Sequence, residues 1–144
     1  MVALHLVIGV SILLASLVAA VWGGEAWLRQ RPSAGFWYVL RATQIAVAVQ
    51  VLFGTLLLFL GHESPGDLHY VYGGLPLFVS LFAEGARAGA AGQELGETDF
   101  EALPAERQRM LALAILRRET GIMALSCMVI FFLALRAAGT STAF

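Results

Sequence analysis

Val2-Ala3-Leu4-His5-Leu6-Val7-Ile8-Gly9-Val10, continuing without a charged residue to Trp22, is the stretch that decides the fold. About 20 mostly apolar residues suffice to cross a bilayer as a helix, and this run reaches that length with a single ionisable residue, His5. Working outward, three more apolar runs follow. Residues 42–60 contain no ionisable group, residues 68–83 begin beside His69, and residues 120–135 are free of charge. Lipid offers the backbone no hydrogen-bond partner, so such runs must be helices. The predicted fold class is therefore all-α, a four-helix transmembrane bundle forming a single domain over 1–144. Spans are expected near 2–27, 36–60, 67–86 and 119–136, with a polar cytoplasmic loop over 87–103. The composition, 59% hydrophobic and 13% charged, is too apolar for a soluble domain of this size. The first run lacks a basic leader and is long for a signal-peptide core, so it reads as a retained helix.

Local signals place the boundaries. Arg31-Pro32-Ser33 breaks the chain, and Ser33 is a candidate cap for the second helix. Phe36, Trp37 and Tyr38 read as an aromatic belt at the interface. Ser64-Pro65 marks a tight turn, Asp67 is the expected cap of the third helix, and Pro76 should kink that helix. Residues 85–100 are rich in glycine, alanine and acids and read as loop. Pro104 then suits the first turn of an amphipathic stretch that leads into the last span, as one helix or as two with a bend.

All nine cationic residues are arginines. Arg29, Arg31 and Arg41 flank the first connection, and Arg87, Arg107, Arg109, Arg117 and Arg118 flank the third; only Arg136 falls elsewhere. The positive-inside bias then predicts a multi-pass protein of the cell membrane, with both arginine-rich connections cytoplasmic and both termini extracytoplasmic. His5, His62 and His69 all come to lie at the outer side.

An ionisable residue within a span points to function. His5 and His69 sit at matched depth on two helices, and each is followed four residues later by a glycine, Gly9 and Gly73. Positions i and i+4 share a helix face, so each helix is expected to offer an imidazole with an empty notch one turn deeper. Two imidazoles above flat space suit a haem held by two axial ligands, with His5 and His69 on the iron and Gly9 and Gly73 making room. Arg136 is placed to bind a propionate or to anchor its helix at the interface. Gln44 and Gln50 read as interhelical hydrogen-bonding residues, Glu84 as a boundary residue, Tyr70 and Tyr72 as belt aromatics, and Cys127 as a small core residue. No nucleophile–base pair, phosphate loop or zinc spacing occurs, and no basic stripe interleaved with aromatics suggests nucleic acid.

Gln50-Val51-Leu52-Phe53-Gly54, a run of leucines, a short turn and His69 at the head of the next helix together resemble haem A synthase, the membrane protein that oxidises a methyl group of haem O. In that family one haem-ligating histidine begins the helix after the glutamine helix and another begins the helix before it, the place that His5 fits. The family contains two such four-helix bundles, and this chain matches one, over roughly residues 4–81. The family's catalytic half carries a glutamate in the outer loop before its first histidine. Only Met1 to Leu4 precede His5, and none is acidic. The last helix would have to fill the place of the helix that normally comes first. The resemblance thus implies a haem pocket and leaves an oxidoreductase activity without its acid.

The sequence reading is a bis-histidine haem b protein for electron transfer or haem handling in the respiratory membrane. Its expected partners are membrane lipid and either a second copy or a larger respiratory complex. Two other readings stay open: a haem-free accessory subunit of a membrane complex, and a copper-binding oxidase assembly factor using His5, His62 and His69.

Overall fold

In the computed structural model, which describes residues 2–62 and 66–140, the chain is a bundle of four helices: α1 (Val2–Leu28), α2 (Ala34–Phe59), α3 (Asp67–Leu95) and α4 (Ala105–Gly139). No strand occurs among the described residues. The Ser64-Pro65 turn lies outside them. Helices α1, α2 and α4 are long and apolar enough to cross a membrane. The more polar α3, which carries Asp67, Glu84, Arg87 and Glu94, does not reach that mark.

The ends of the helices follow from their residues. The Ser33 hydroxyl accepts the Phe36 N–H at 3.3 Å and caps α2 as its sequence predicted. Helix α1 closes with Gln30 in the left-handed region (φ 54°), which lets the Arg31 N–H reach the Ala26 carbonyl at 3.0 Å. At α3 the cap is Gly66, and Asp67 is instead the first helical residue, where its charge complements the helix dipole. Pro104 immediately precedes α4, and its carbonyl accepts the Gln108 N–H at 3.0 Å.

Two expectations are corrected. The loop predicted over 87–103 is helical for its first half, because α3 continues to Leu95. Alanine tolerates a helix well, and the added turns are tied to α4 where Arg118 donates to Glu94 at 3.0 Å and to Gln93 at 2.8 Å. Phe36, expected in an interfacial belt, is instead wholly buried. It lies over Gly23 of α1 so closely that a Cβ there would stand 2.4 Å from its ring. Tyr38 keeps the exposed position.

Packing is closest between α4 and both α1 and α3, then between α1 and α2; α2 and α3 touch little. Within a bilayer, helices associate through close van der Waals contact rather than exclusion of water, which favours small residues. The buried face of α1 has that character, with Ser16, Ala19, Ala20, Gly23 and Ala26. It meets Thr120, Gly121, Ala124 and Cys127 on the buried face of α4. Trp27 rests on Gly121, where a Cβ would come within 2.8 Å of the indole. Helix α4 is continuous over 35 residues, about 52 Å at 1.5 Å per residue, longer than the ~30 Å hydrocarbon thickness of a bilayer.

Candidate functional site

The antiparallel order brings the start of α1, the end of α2, the start of α3 and the end of α4 to one end of the bundle. His5 lies in the second turn of α1 and His69 in the first turn of α3. These two helices are diagonal neighbours, yet the two rings face each other across the interior with centroids 6.1 Å apart and planes at 57°. The sequence expected matched depth; the bundle adds that the pair converges.

Each ring is held by a partner on another helix. His69 Nδ1 lies 3.1 Å from the Ala137 carbonyl of α4. A carbonyl only accepts, so Nδ1 carries the proton in this contact. His5 Nε2 lies 3.2 Å from the amide nitrogen of Gln50 on α2. His5 Nδ1 and Gln50 Oε1 are buried with no hydrogen-bond partner. Buried polar atoms are nearly always paired, so orphans of this kind ask for an explanation.

The glycines divide. Gly73, one turn beyond His69, has nothing within 4 Å of where a Cβ would stand, and neither has Gly74. Gly9 does not provide the notch expected of it: a Cβ on it would lie 3.1 Å from Gln50 Nε2, so its missing side chain admits the glutamine rather than leaving space. Gly54, one turn along α2 from Gln50, has the corresponding place beside His5, with a Cβ position 3.2 Å from its Cε1. Gln50 makes the interhelical hydrogen bond that its place in an apolar helix predicted, whereas Gly54 was visible in sequence only as part of a short pattern. Their role beside His5 depends on interhelical register, which no local signal in α1 or α2 carries.

Arg136 stands in the last turn of α4, exposed, with its guanidinium 5.8 Å from the centre of the Tyr72 ring. His62 is exposed just after α2, and its backbone N–H closes the turn on the Leu57 carbonyl at 3.0 Å. Among the described residues no three histidine, cysteine or acidic side chains gather as a metal site, so His62 does not join the other two histidines.

The donor set at this end suits a haem. Imidazole is a ligand of haem iron, and His5 and His69, whose ring centres lie 6.1 Å apart, are the residues that would hold one. A second interaction that orients each ring is also what metal-ligating histidines usually have. The chain matches no protein-family model, no curated protein and no solved structure.

Proposed function

We propose that this is a multi-pass membrane protein that binds one b-type haem through His5 and His69, for electron transfer or haem handling in the respiratory membrane. The observation that carries the reading is the convergence of the two rings from diagonal helices, 6.1 Å apart at their centres. His5 and His69 would hold the haem, which would supply a one-electron couple suited to electron transfer rather than to substrate chemistry. The chain's own part is to present two imidazoles and to hold them by Ala137 and Gln50. Gly73 and Gly74 leave free volume beside His69. Arg136 is placed to meet a propionate with a two-pronged hydrogen bond.

In this reading α3 is a fourth span, its polar residues gathered near its ends. The arginine-rich connections are cytoplasmic and both termini lie outside. A visible spectrum of the full-length purified protein tests the haem. The expected result is a Soret band with the sharp reduced bands of a low-spin, six-coordinate iron. Protein purified from haem-replete cells with no Soret band overturns it.

A second reading, an accessory subunit without haem, has one observation in its favour. A groove of about 600 Å³ opens outward between α3 and α4, lined by apolar residues that include Phe78, Phe82, Leu125 and Val129. Phe78 and Phe82 are 68% and 80% exposed there, which suits the packing of another apolar helix. A colourless protein that copurifies in fixed ratio with a larger complex would favour this reading.

A further inference from the structure

Gln50 meets His5 with an amide, an uncharged group that offers a donor at one corner and an acceptor at the other. We propose that Gln50 is the positioning residue of His5, and that its amide follows the ring's proton. It donates to Nε2 when Nδ1 is protonated and, turned by half a rotation, accepts from Nε2–H when Nδ1 is bare and free to bind a metal. The identity of that metal rests on the haem reading above; the amide's role rests on geometry alone.

The contact between the two residues is Nε2 to Nε2 at 3.2 Å. With nitrogen facing nitrogen, the amide donates and the ring's proton sits on Nδ1. That leaves Nδ1 and Gln50 Oε1 buried and unpaired, an unfavourable state for both atoms. Rotation about the last side-chain torsion exchanges Oε1 for Nε2 in the contact and moves nothing else. The ring then donates from Nε2, and Nδ1 presents a lone pair. A leucine at position 50 would serve neither state, and a carboxylate only the second.

The surroundings are shaped for this exchange. Gly9 lets the amide lie against α1, where a Cβ would press to 3.1 Å. Gly54 shares the face of α2 with Gln50, and a Cβ on it would stand 3.8 Å from His5 Nδ1. The absent side chain therefore leaves room beside the orphan nitrogen. His69 has no such freedom, because its partner is a backbone carbonyl that can only accept. One ring of the pair is fixed and the other is adjustable.

The test compares full-length wild-type protein with Gln50→Met in lipid nanodiscs, using ¹⁵N-labelled histidine and a redox titration. Without haem, the wild-type His5 ring should hold both tautomers in exchange, since the amide serves either, and Gln50→Met should change that balance. With haem, the variant should bind about tenfold more weakly or worse. Its reduction potential should rise, since a ligand deprived of its hydrogen-bond acceptor donates less charge to ferric iron. Gly9→Ala, which crowds the amide without removing it, should move both readouts in the same direction by less, and it carries the test if Gln50→Met fails to insert. An unchanged tautomer balance in the tested variant overturns the proposal, as does an unchanged potential in a haem-loaded variant. If wild-type protein binds no haem, the haem reading fails separately, and the tautomer comparison alone decides the role of Gln50.

Discussion

The two ends of this bundle solve the same problem differently. At the end where α1 hands over to α2, polar side chains satisfy one another. Glu84 accepts from Arg41, from Gln44 at 2.9 Å and from Arg87 at 3.0 Å, and Arg87 reaches Glu119 at 3.6 Å. Trp37 lies under the guanidinium groups of Arg41 and Arg87. The network joins α2, α3 and α4, and nothing in it calls for a ligand. At the other end, two imidazoles converge and two buried polar atoms beside them stay unpaired. Gly23, Gly35 and Gly121 are each covered by an aromatic ring at the first end; at the second, Gly9 and Gly54 lie against Gln50 and His5, while Gly73 and Gly74 face open space. A self-satisfied polar cluster is explained by stability; an unsatisfied one with free volume beside it calls for a function.

The sharpest break in that contrast comes from the histidines. His5→Ala and His69→Ala should each abolish low-spin haem absorbance, whereas His62→Ala should leave the spectrum intact. Absorption spectra of equal amounts of inserted protein check this, and a normal spectrum in either of the first two removes the paired site. Next in size is the glycine pair. Gly23→Ala forces a methyl against the fully buried Phe36, and overpacking of this kind costs about 1–3 kcal/mol. Gly73→Ala should leave thermal stability in detergent nearly unchanged. Equal losses in the two variants would erase the distinction between a filled end and an open one.

Glu84→Gln should act at the arginine end alone. It leaves Arg41 and Arg87 without their shared carboxylate. The loss should be about 1–2 kcal/mol, held down because Arg41 is 45% exposed and partly solvated. Unfolding midpoints should fall with no change in haem spectrum; a spectral change would mean the two ends are coupled. The smallest effect is expected from Arg136→Gln. Removing a positive charge near the iron disfavours the reduced form, so the potential should fall modestly. A potential that stays within measurement error returns Arg136 to its place over Tyr72 and to anchoring α4.

How much of this could be read beforehand follows from what is local. The helical runs around Val2, Val47, His69 and Met123 announce themselves through uninterrupted apolar residues, and Ser33 and Pro104 mark starts through their own chemistry. The extension of α3 to Leu95 was hidden. Its glycines and acids look like a loop, and the pairing of Arg118 with Glu94 that favours helix there lies across 24 positions of sequence. Phe36 looked interfacial because its neighbours Trp37 and Tyr38 are, and only the register of α1 against α2 shows Gly23 beneath it. At the candidate site the two histidines were legible as ionisable residues at the heads of apolar runs. Gln50 as the partner of His5, and Gly9 as the residue that admits it, belong to that same interhelical register.

The bond from His69 to Ala137 has a consequence in time. The two residues are separated by 68 positions, and ribosomes add roughly 5–20 residues per second. Some 3–14 seconds therefore pass, by the same rate, between the synthesis of His69 and that of the carbonyl that fixes its tautomer. During that interval α1 also waits, since much of its small-residue face is covered by α4, which is made after it. Closure of the paired-histidine end is thereby tied to synthesis of α4, and a product ending before Ala137 would lack the carbonyl that holds His69.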